Sequence, residues 1–295
     1  MIRACISRRL ASKKALLVTV NNGEASAAFS SLKFNSTFEA QLEAAGGLPK
    51  AGKVRHFYAA SDDYPLVTIV GVCDKNKTEV EGRDEIRENQ RRAVAQGVRA
   101  LEDMGVEQVD IATDGCRQAA GEAASMTCWH YKQDKREKYP TSFTVLDPNC
   151  AQCQAATFDK GVTLGEAQNF ARELMELPSN LLTPQIFADR AKSELESLGV
   201  KVNVYDGDWI QEQNMNAFWS VAKGSSEPPR MVEMIYEGEG ASEDNTFCLV
   251  GKGVTFDSGG ISIKDRVKYR VLEFDFQIRN FPHFQIFFNK FESSE

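Results

Sequence analysis

From Ala15 to Leu146, short β-branched apolar runs alternate with longer stretches of helical period, and this alternation restricts the chain to few architectures. Ala15–Val20, Leu66–Val72, Gln108–Thr113 and Ser142–Leu146 read as strands. Asp84–Met104 carries apolar residues at 86, 93, 94, 98 and 101, which fall on one helical face, and Gly105 follows as a stop. Gln118–Tyr131 reads as a second helix. Strands separated by helices of this length predict an α/β domain whose helices pack on a parallel or mixed sheet.

A Pro-Asn-Cys stretch at 148–150 reads as a loop, and the domain boundary is placed shortly after it. The expected organisation is a basic N-terminus over 1–14, an N-terminal α/β domain over 15–158, a second α/β unit over 159–264 and a divergent tail over 265–295. In the second unit, Thr163 and Glu166 have the spacing of a capping box, so a helix is expected to open there and to end before Pro178. Thr183 and Pro184 supply an N-cap and a first-turn proline for the next helix, which runs to about Leu198. Lys201–Tyr205, Met231–Tyr236 and Phe247–Val250 read as strands, and a short helix starts at Asp208.

Charge and cysteine content exclude several functions. The net charge is −7, whereas a nucleic-acid surface concentrates positive charge, so no nucleic-acid partner is expected. No run of 18 apolar residues occurs, so no membrane span is expected. Arg3, Arg8, Arg9, Lys13 and Lys14 precede the first acid, Glu24. This reads as a basic N-terminus of a cytoplasmic protein, with a mitochondrial presequence as the other reading. The seven cysteines are irregularly spaced and fit reduced thiols. Cys150 and Cys153 form one CxxC, and a zinc site there would need Cys128 and His130 as its second pair.

The stretch "GKGVTFDSGGISIK", Gly251 to Lys264, carries the chemistry. It lacks the spacing of a phosphate-binding loop, and Gly238-Glu-Gly240 has Glu243 where a dinucleotide fingerprint needs its third glycine. Lys252 and Asp257 instead follow an apolar strand, at the strand end where open α/β sheets hold ligands. A lysine ligates metal only as the neutral amine, and deprotonating it at pH 7 costs roughly 4–5 kcal/mol, to be supplied by metal charge and burial. A carboxylate nearby adds a hard oxygen donor. A charged lysine such as Lys264 is suited to stabilising an oxyanion.

"LVGKGVTFDSGGISIK" closely resembles the first metal-binding segment of the leucyl aminopeptidase (cytosol aminopeptidase) family of two-metal exopeptidases. "LMELPSNLLTPQIFA" at 174–188 and "FWSVAKGSSEPP" at 218–229 agree with it, and "AGKVRHFY" at 51–58 agrees more loosely. The resemblance implies an N-terminal α/β domain, a C-terminal catalytic α/β domain and assembly into homo-hexamers. It also implies two divalent ions (zinc, manganese or magnesium) bridging a water that attacks the peptide bond next to a free N-terminus, with leucine preferred. By position, Lys252 resembles the lysine ligand of one metal, Asp257 the aspartate bridging both, and Lys264 the lysine that stabilises the oxyanion.

The family's other ligands come from an "MDLMRADMGG"-like helix and an "NTDAEGR"-like motif, and neither occurs in these 295 residues. Asp275 has the family's 18-residue spacing from Asp257, but its neighbours, "VLEFDFQI", do not match and the spacing is read as coincidence. The expectation is therefore a chain truncated within the catalytic domain and inactive by itself, or else a non-catalytic, defective subunit of an aminopeptidase hexamer. Residues 265–295 hold eight aromatics and balanced charge, five acids against five bases. They are expected to leave Phe247–Val250 at a bare sheet edge and to promote self-association, with fold-back through 271–278 as the rival outcome.

Overall fold

The fifth to seventh residues of the first strand show how the sheet is covered: Val18 faces one side, Thr19 the other, Val20 the first again, and all three are buried. A computed structural model describes residues 14–73, 84–131, 142–146, 155–241, 246–257, 262, 283–290 and 292–293. It divides into two compact units, Met1–Arg172 and Glu173–Glu295.

In the first unit the strands are β1 (Lys14–Asn21), β2 (Val54–Tyr58), β3 (Leu66–Val72), β4 (Gln108–Ala112) and β5 (Ser142–Leu146). The sheet order is β2-β3-β1-β4-β5; β1, β3, β4 and β5 are parallel and β2 runs antiparallel to β3. The helices are α1 (Ala27–Ser30), α2 (Ser36–Ala44), α3 (Glu85–Glu102), α4 (Arg117–Thr127) and α5 (Ala155–Glu176), and the division between units falls inside α5. Both faces of the central strands are apolar because both are covered, as parallel sheets require. One face packs Leu17, Val70 and Ile111 with Val94, Val98 and Leu101 of α3 and Phe158 of α5. The other packs Leu16, Val18, Val67 and Ile69 with Phe38 of α2 and Phe57 of β2.

The expected helical face of α3 holds at 93, 94, 98 and 101, which are buried, but Ile86 is 64% exposed. Asp84 caps this helix by accepting from Arg87 N at 3.0 Å, and Gly105 takes φ +75° just beyond its end. Glu122, on α4, is 2% exposed and accepts from Arg87 and Arg91 of α3 and from Gln118, which ties the two helices together. Burial works to raise its carboxyl, but the Arg91 and Gln118 hydrogen bonds and the two arginine charges outweigh it and hold the group below the usual range. The helix expected to open at Thr163 instead begins at Ala155. Thr163 lies inside it, and its hydroxyl donates back to the Asp159 carbonyl at 3.0 Å rather than capping.

The second unit contains α6 (Pro184–Glu196), α7 (Gly207–Glu212), α8 (Asn216–Ala222), β6 (Lys201–Tyr205), β7 (Arg230–Glu237), β8 (Thr246–Lys252), β9 (Phe256–Asp257), β10 (His283–Lys290) and β11 (Glu292–Ser293). The Thr183 cap is present, its hydroxyl accepting from Ile186 N at 3.4 Å ahead of Pro184. The larger sheet has the order β6-β7-β10-β8, and β9 pairs with β11. The bare edge expected beside Phe247–Val250 is corrected on one side, where β10 pairs in parallel with β8 (Phe284↔Phe247, Phe287↔Val250) and antiparallel with β7. Backbone pairing on two sides needs no clean apolar alternation, which is why the sequence pattern did not reveal this strand. The rival segment, 271–278, lies outside the described residues.

Candidate metal-binding strand end

The segment "LMELPSNLLTPQIFA" serves the packing of the second unit. Leu174, Leu177, Leu182, Phe187 and Ala188 pack with Val202 of β6 and with Val232 and Met234 of β7. "FWSVAKGSSEPP" does the same beside the glycine-rich stretch: Phe218, Trp219 and Ala222 cluster with Ile210, Trp209 and Met231, and Val254 packs against them. Val254 stands between Lys252 and Asp257, so this cluster anchors the turn that separates the two candidate ligands. The two stretches are physically linked, since one supports the other.

Lys252 is the last residue of β8 and is exposed. Its register partner is Asn289 on β10. Asp257 ends β9, is half-buried and sits opposite Ser293 of β11. Lys264 and Asp275 lie outside the described residues, as do Cys150 and Cys153. No group of three or more His, Cys, Asp or Glu side chains suited to a metal occurs among the described residues. One amine and one carboxylate are donors of the right chemistry, but one zinc ion alone takes about four ligands, so the described residues do not by themselves form a two-metal centre.

Cys128 and His130, the possible second half of a zinc site, are engaged differently. Burial first, and then the Glu102 charge, push the Cys128 thiol up to about 12, which disfavours the thiolate that zinc needs. His130 Nε2 lies 2.5 Å from Glu102 Oε1.

Three further places were not singled out by sequence. The strand order of the first unit reverses at β1 and β4, a position where α/β sheets hold ligands, but here the chain fills it. Thr19 and Gln90 donate to Thr113 Oγ1 at 2.9 and 2.7 Å, and Asp114 accepts from Ala28 N at 2.7 Å. In the second unit, Glu233 Oε2 accepts from Asn203 Nδ2 at 2.7 Å and from the Tyr205 hydroxyl at 3.0 Å, a cross-strand polar cluster between β6 and β7. The register Asn203↔Glu233 was the only signal, and pairing register is not readable from one sequence. An open pocket of about 470 Å³ is lined by Asp206, Trp219, Lys223, Glu227 and Arg230 among others. Two of its charges are already committed: Asp206 caps α7, and Arg230 donates to Gln185 Oε1 and to the Pro229 carbonyl.

Residues 169–277 match the model of the cytosol aminopeptidase family, catalytic domain. That stretch is similar to the family's catalytic domain. The cytosol aminopeptidase of Xenopus tropicalis is 40% identical over 228 residues, covering 76% of this chain and 43% of that protein. The cytosol aminopeptidase of Homo sapiens is 40% identical over 227 residues with the same coverage, and that of Dictyostelium discoideum is 34% identical over 243, covering 77% and 45%. The chain thus spans somewhat under half the length of these curated relatives. The solved structure of the bottromycin maturation enzyme BotP in complex with Mn superposes with a TM-score of 0.69 at 23% identity, covering 96% of this chain and 60% of that one. At that identity the likeness is one of fold alone, a mixed α/β architecture. No helix among the described residues is long and apolar enough to cross a membrane.

Proposed function

We propose that this chain carries the opening part of the dinuclear site of a leucyl aminopeptidase-type metallopeptidase, an enzyme class that releases N-terminal residues, leucine preferred, from peptides. Lys252 is assigned as a ligand of one ion, Asp257 as the ligand shared by both, and Lys264 as the cation that stabilises the oxyanion. The observation that carries the reading is the strand end itself. β8 delivers Lys252 inside the family-matched stretch, and the turn leading to Asp257 is anchored through Val254 on the cluster supplied by "FWSVAKGSSEPP". Zinc, manganese or magnesium would supply Lewis acidity there, and the chain's own contribution is to hold an amine and a carboxylate at a fixed separation. Peptides with a free N-terminus are the substrates in this reading and a homo-hexamer the assembly. The relatives' description as cytosol enzymes supports a cytoplasmic location.

A second reading, a non-catalytic subunit within an aminopeptidase hexamer, is favoured by the donor count among the described residues, where Lys252 and Asp257 alone fall short of two metal ions. One assay separates the readings. The purified 295-residue polypeptide is incubated with leucyl-p-nitroanilide and added manganese or zinc, and no turnover above blank is expected. Turnover that Lys264→Ala abolishes would show that these 295 residues suffice for a working site. Weak manganese binding that Asp257→Ala removes supports the ligand assignment; binding indifferent to both Asp257→Ala and Lys252→Ala overturns it.

A further inference from the structure

We propose that the open pocket of the second unit binds a small zwitterion, either a free amino acid or a short peptide with both termini unblocked. The pocket, about 470 Å³, lies wholly within residues 206–230. Its ligand class follows from those residues and does not depend on the assignment of Lys252 and Asp257. Bonds internal to the unit fix its frame. Asp206 Oδ1 accepts from Trp209 N at 3.0 Å, and Ser225 Oγ accepts from Glu227 N at 3.0 Å. Arg230 donates to Gln185 Oε1 at 2.6 Å and to the Pro229 carbonyl at 2.8 Å. Walls set before binding leave less ordering for a ligand to bring about.

One side of the pocket is apolar. Trp219 and Pro229 form it, and Gly207 keeps it open, since a Cβ on Gly207 would already touch Trp219 Cζ3 and Pro229 Cγ at 3.4 Å each. What the frame leaves over is charge of both signs. Asp208, Glu227 and Lys223 all line the pocket, yet among the described residues none of their charged groups is engaged in an ion pair or hydrogen bond. Lys223 and Glu227 share the pocket without pairing, so the two signs are held apart across it. A plain anion entering there meets two unpaired carboxylates, and a plain cation meets an unpaired ammonium; each is opposed by a like charge. A ligand with both an ammonium and a carboxylate bridges the gap and pairs with both signs. Its apolar side chain then has the Trp219 and Pro229 wall to rest on, which makes leucine a suitable probe.

The test uses the full 295-residue chain in excess EDTA, so that no divalent ion recruits the ligand elsewhere. Equilibrium dialysis with radiolabelled L-leucine is expected to show one saturable site per chain. N-acetyl-leucine, which lacks the cation, and leucinamide, which lacks the anion, are expected to compete at least tenfold less well. Leucylglycine keeps both charges: if it competes better than leucine the occupant is a peptide, if worse a free amino acid, and either result supports the site. Lys223→Glu is expected to weaken leucine at least tenfold while leaving leucinamide unchanged or tighter, a split that general unfolding would not give. Glu227→Lys should do the same with N-acetyl-leucine as the spared compound. Lys252→Ala is expected to leave leucine binding unaltered and Lys223→Glu to leave manganese binding unaltered, so failure here is distinguishable from failure of the metal assignment. Absence of saturable leucine binding up to about 10 mM overturns the proposal. So does equal competition by the two blocked compounds, binding indifferent to Lys223→Glu, or its loss in Lys252→Ala.

Discussion

Glu122 concentrates the electrostatics of the first unit. Its carboxylate is removed from solvent while Arg87 and Arg91 remain about a third exposed, so desolvation falls mainly on one partner and two cations offset it. Removing the carboxylate's charge leaves two guanidinium groups facing a neutral amide, and Glu122→Gln is expected to destabilise the chain by ~3 kcal/mol, the lower end for a broken buried pair. The pH dependence has a definite sign. A carboxyl held below its ordinary value contributes stability above pH 4.5, and that contribution is lost as pH falls through the depressed folded value. Urea melts should therefore show the unaltered chain and Glu122→Gln converging below pH 4.5. A difference that stays constant down to pH 2.5 would mean that shape, not charge, accounts for the loss. None of this was visible in the sequence, because Arg87 and Arg91 lie 35 and 31 residues from Glu122 and meet it only after two helices dock. Lys252 and Asp257 were visible, because their spacing within one short segment does not depend on how distant elements meet.

At the scale of elements, the helix pair α4 and α5 shows what a local pattern misses. Thr163 and Glu166 imitate a helix start, yet the chain is helical from Ala155, since Phe158 and Val162 must reach the core that α3 and α4 share. The same contact explains Gly121 and Gly161. A Cβ on Gly161 would run into the Gln118 carbonyl of α4, and one on Gly121 into the Phe158 carbonyl of α5. Gly161→Ala is thus a test between two opposed effects. Helix propensity favours alanine by about 1 kcal/mol, and overpacking at a backbone–backbone contact costs about 1–3 kcal/mol. We expect the steric effect to win, giving a net loss of about 1 kcal/mol in a denaturant melt, whereas Lys160→Ala on the exposed side of the same helix should be neutral or stabilising. Strand β2 was missed for a related reason: "VRHFY" sets two polar residues side by side and so shows no alternation, and only Phe57 is fully buried. By contrast "LVTIVGV" was legible because continuous burial on both faces leaves Thr68 as its one polar residue.

For the whole molecule, the position of α5 decides which piece of the chain can stand alone. The sequence suggests that a fragment ending near Asn149 holds a complete domain, since the four strands and two helices read there all precede that point. The structure adds a requirement. Phe158 is almost fully buried among Val94, Val98 and Ala120, and Asn169 and Arg172 donate to the Ser125 and Met126 carbonyls at the end of α4 at 3.0 and 3.1 Å. A fragment ending at Asn149 forfeits all of these, and exposing the site of Phe158 alone corresponds to about 3–5 kcal/mol by analogy with Phe-to-Ala changes in cores. That is a large share of the 5–15 kcal/mol typical of a domain. A fragment ending at Glu176 keeps every one of them, so it is expected to unfold in one cooperative step monitored by circular dichroism and tryptophan fluorescence. The fragment ending at Asn149 is expected to melt at least 10 °C lower or without a baseline-to-baseline transition. Adding a synthetic peptide of residues 155–176 to the shorter fragment should restore part of the difference, because the missing interactions are with that helix. Equal melting of the two fragments would show that the sheet and α3 carry the unit without α5, and would move the effective boundary back toward residue 150.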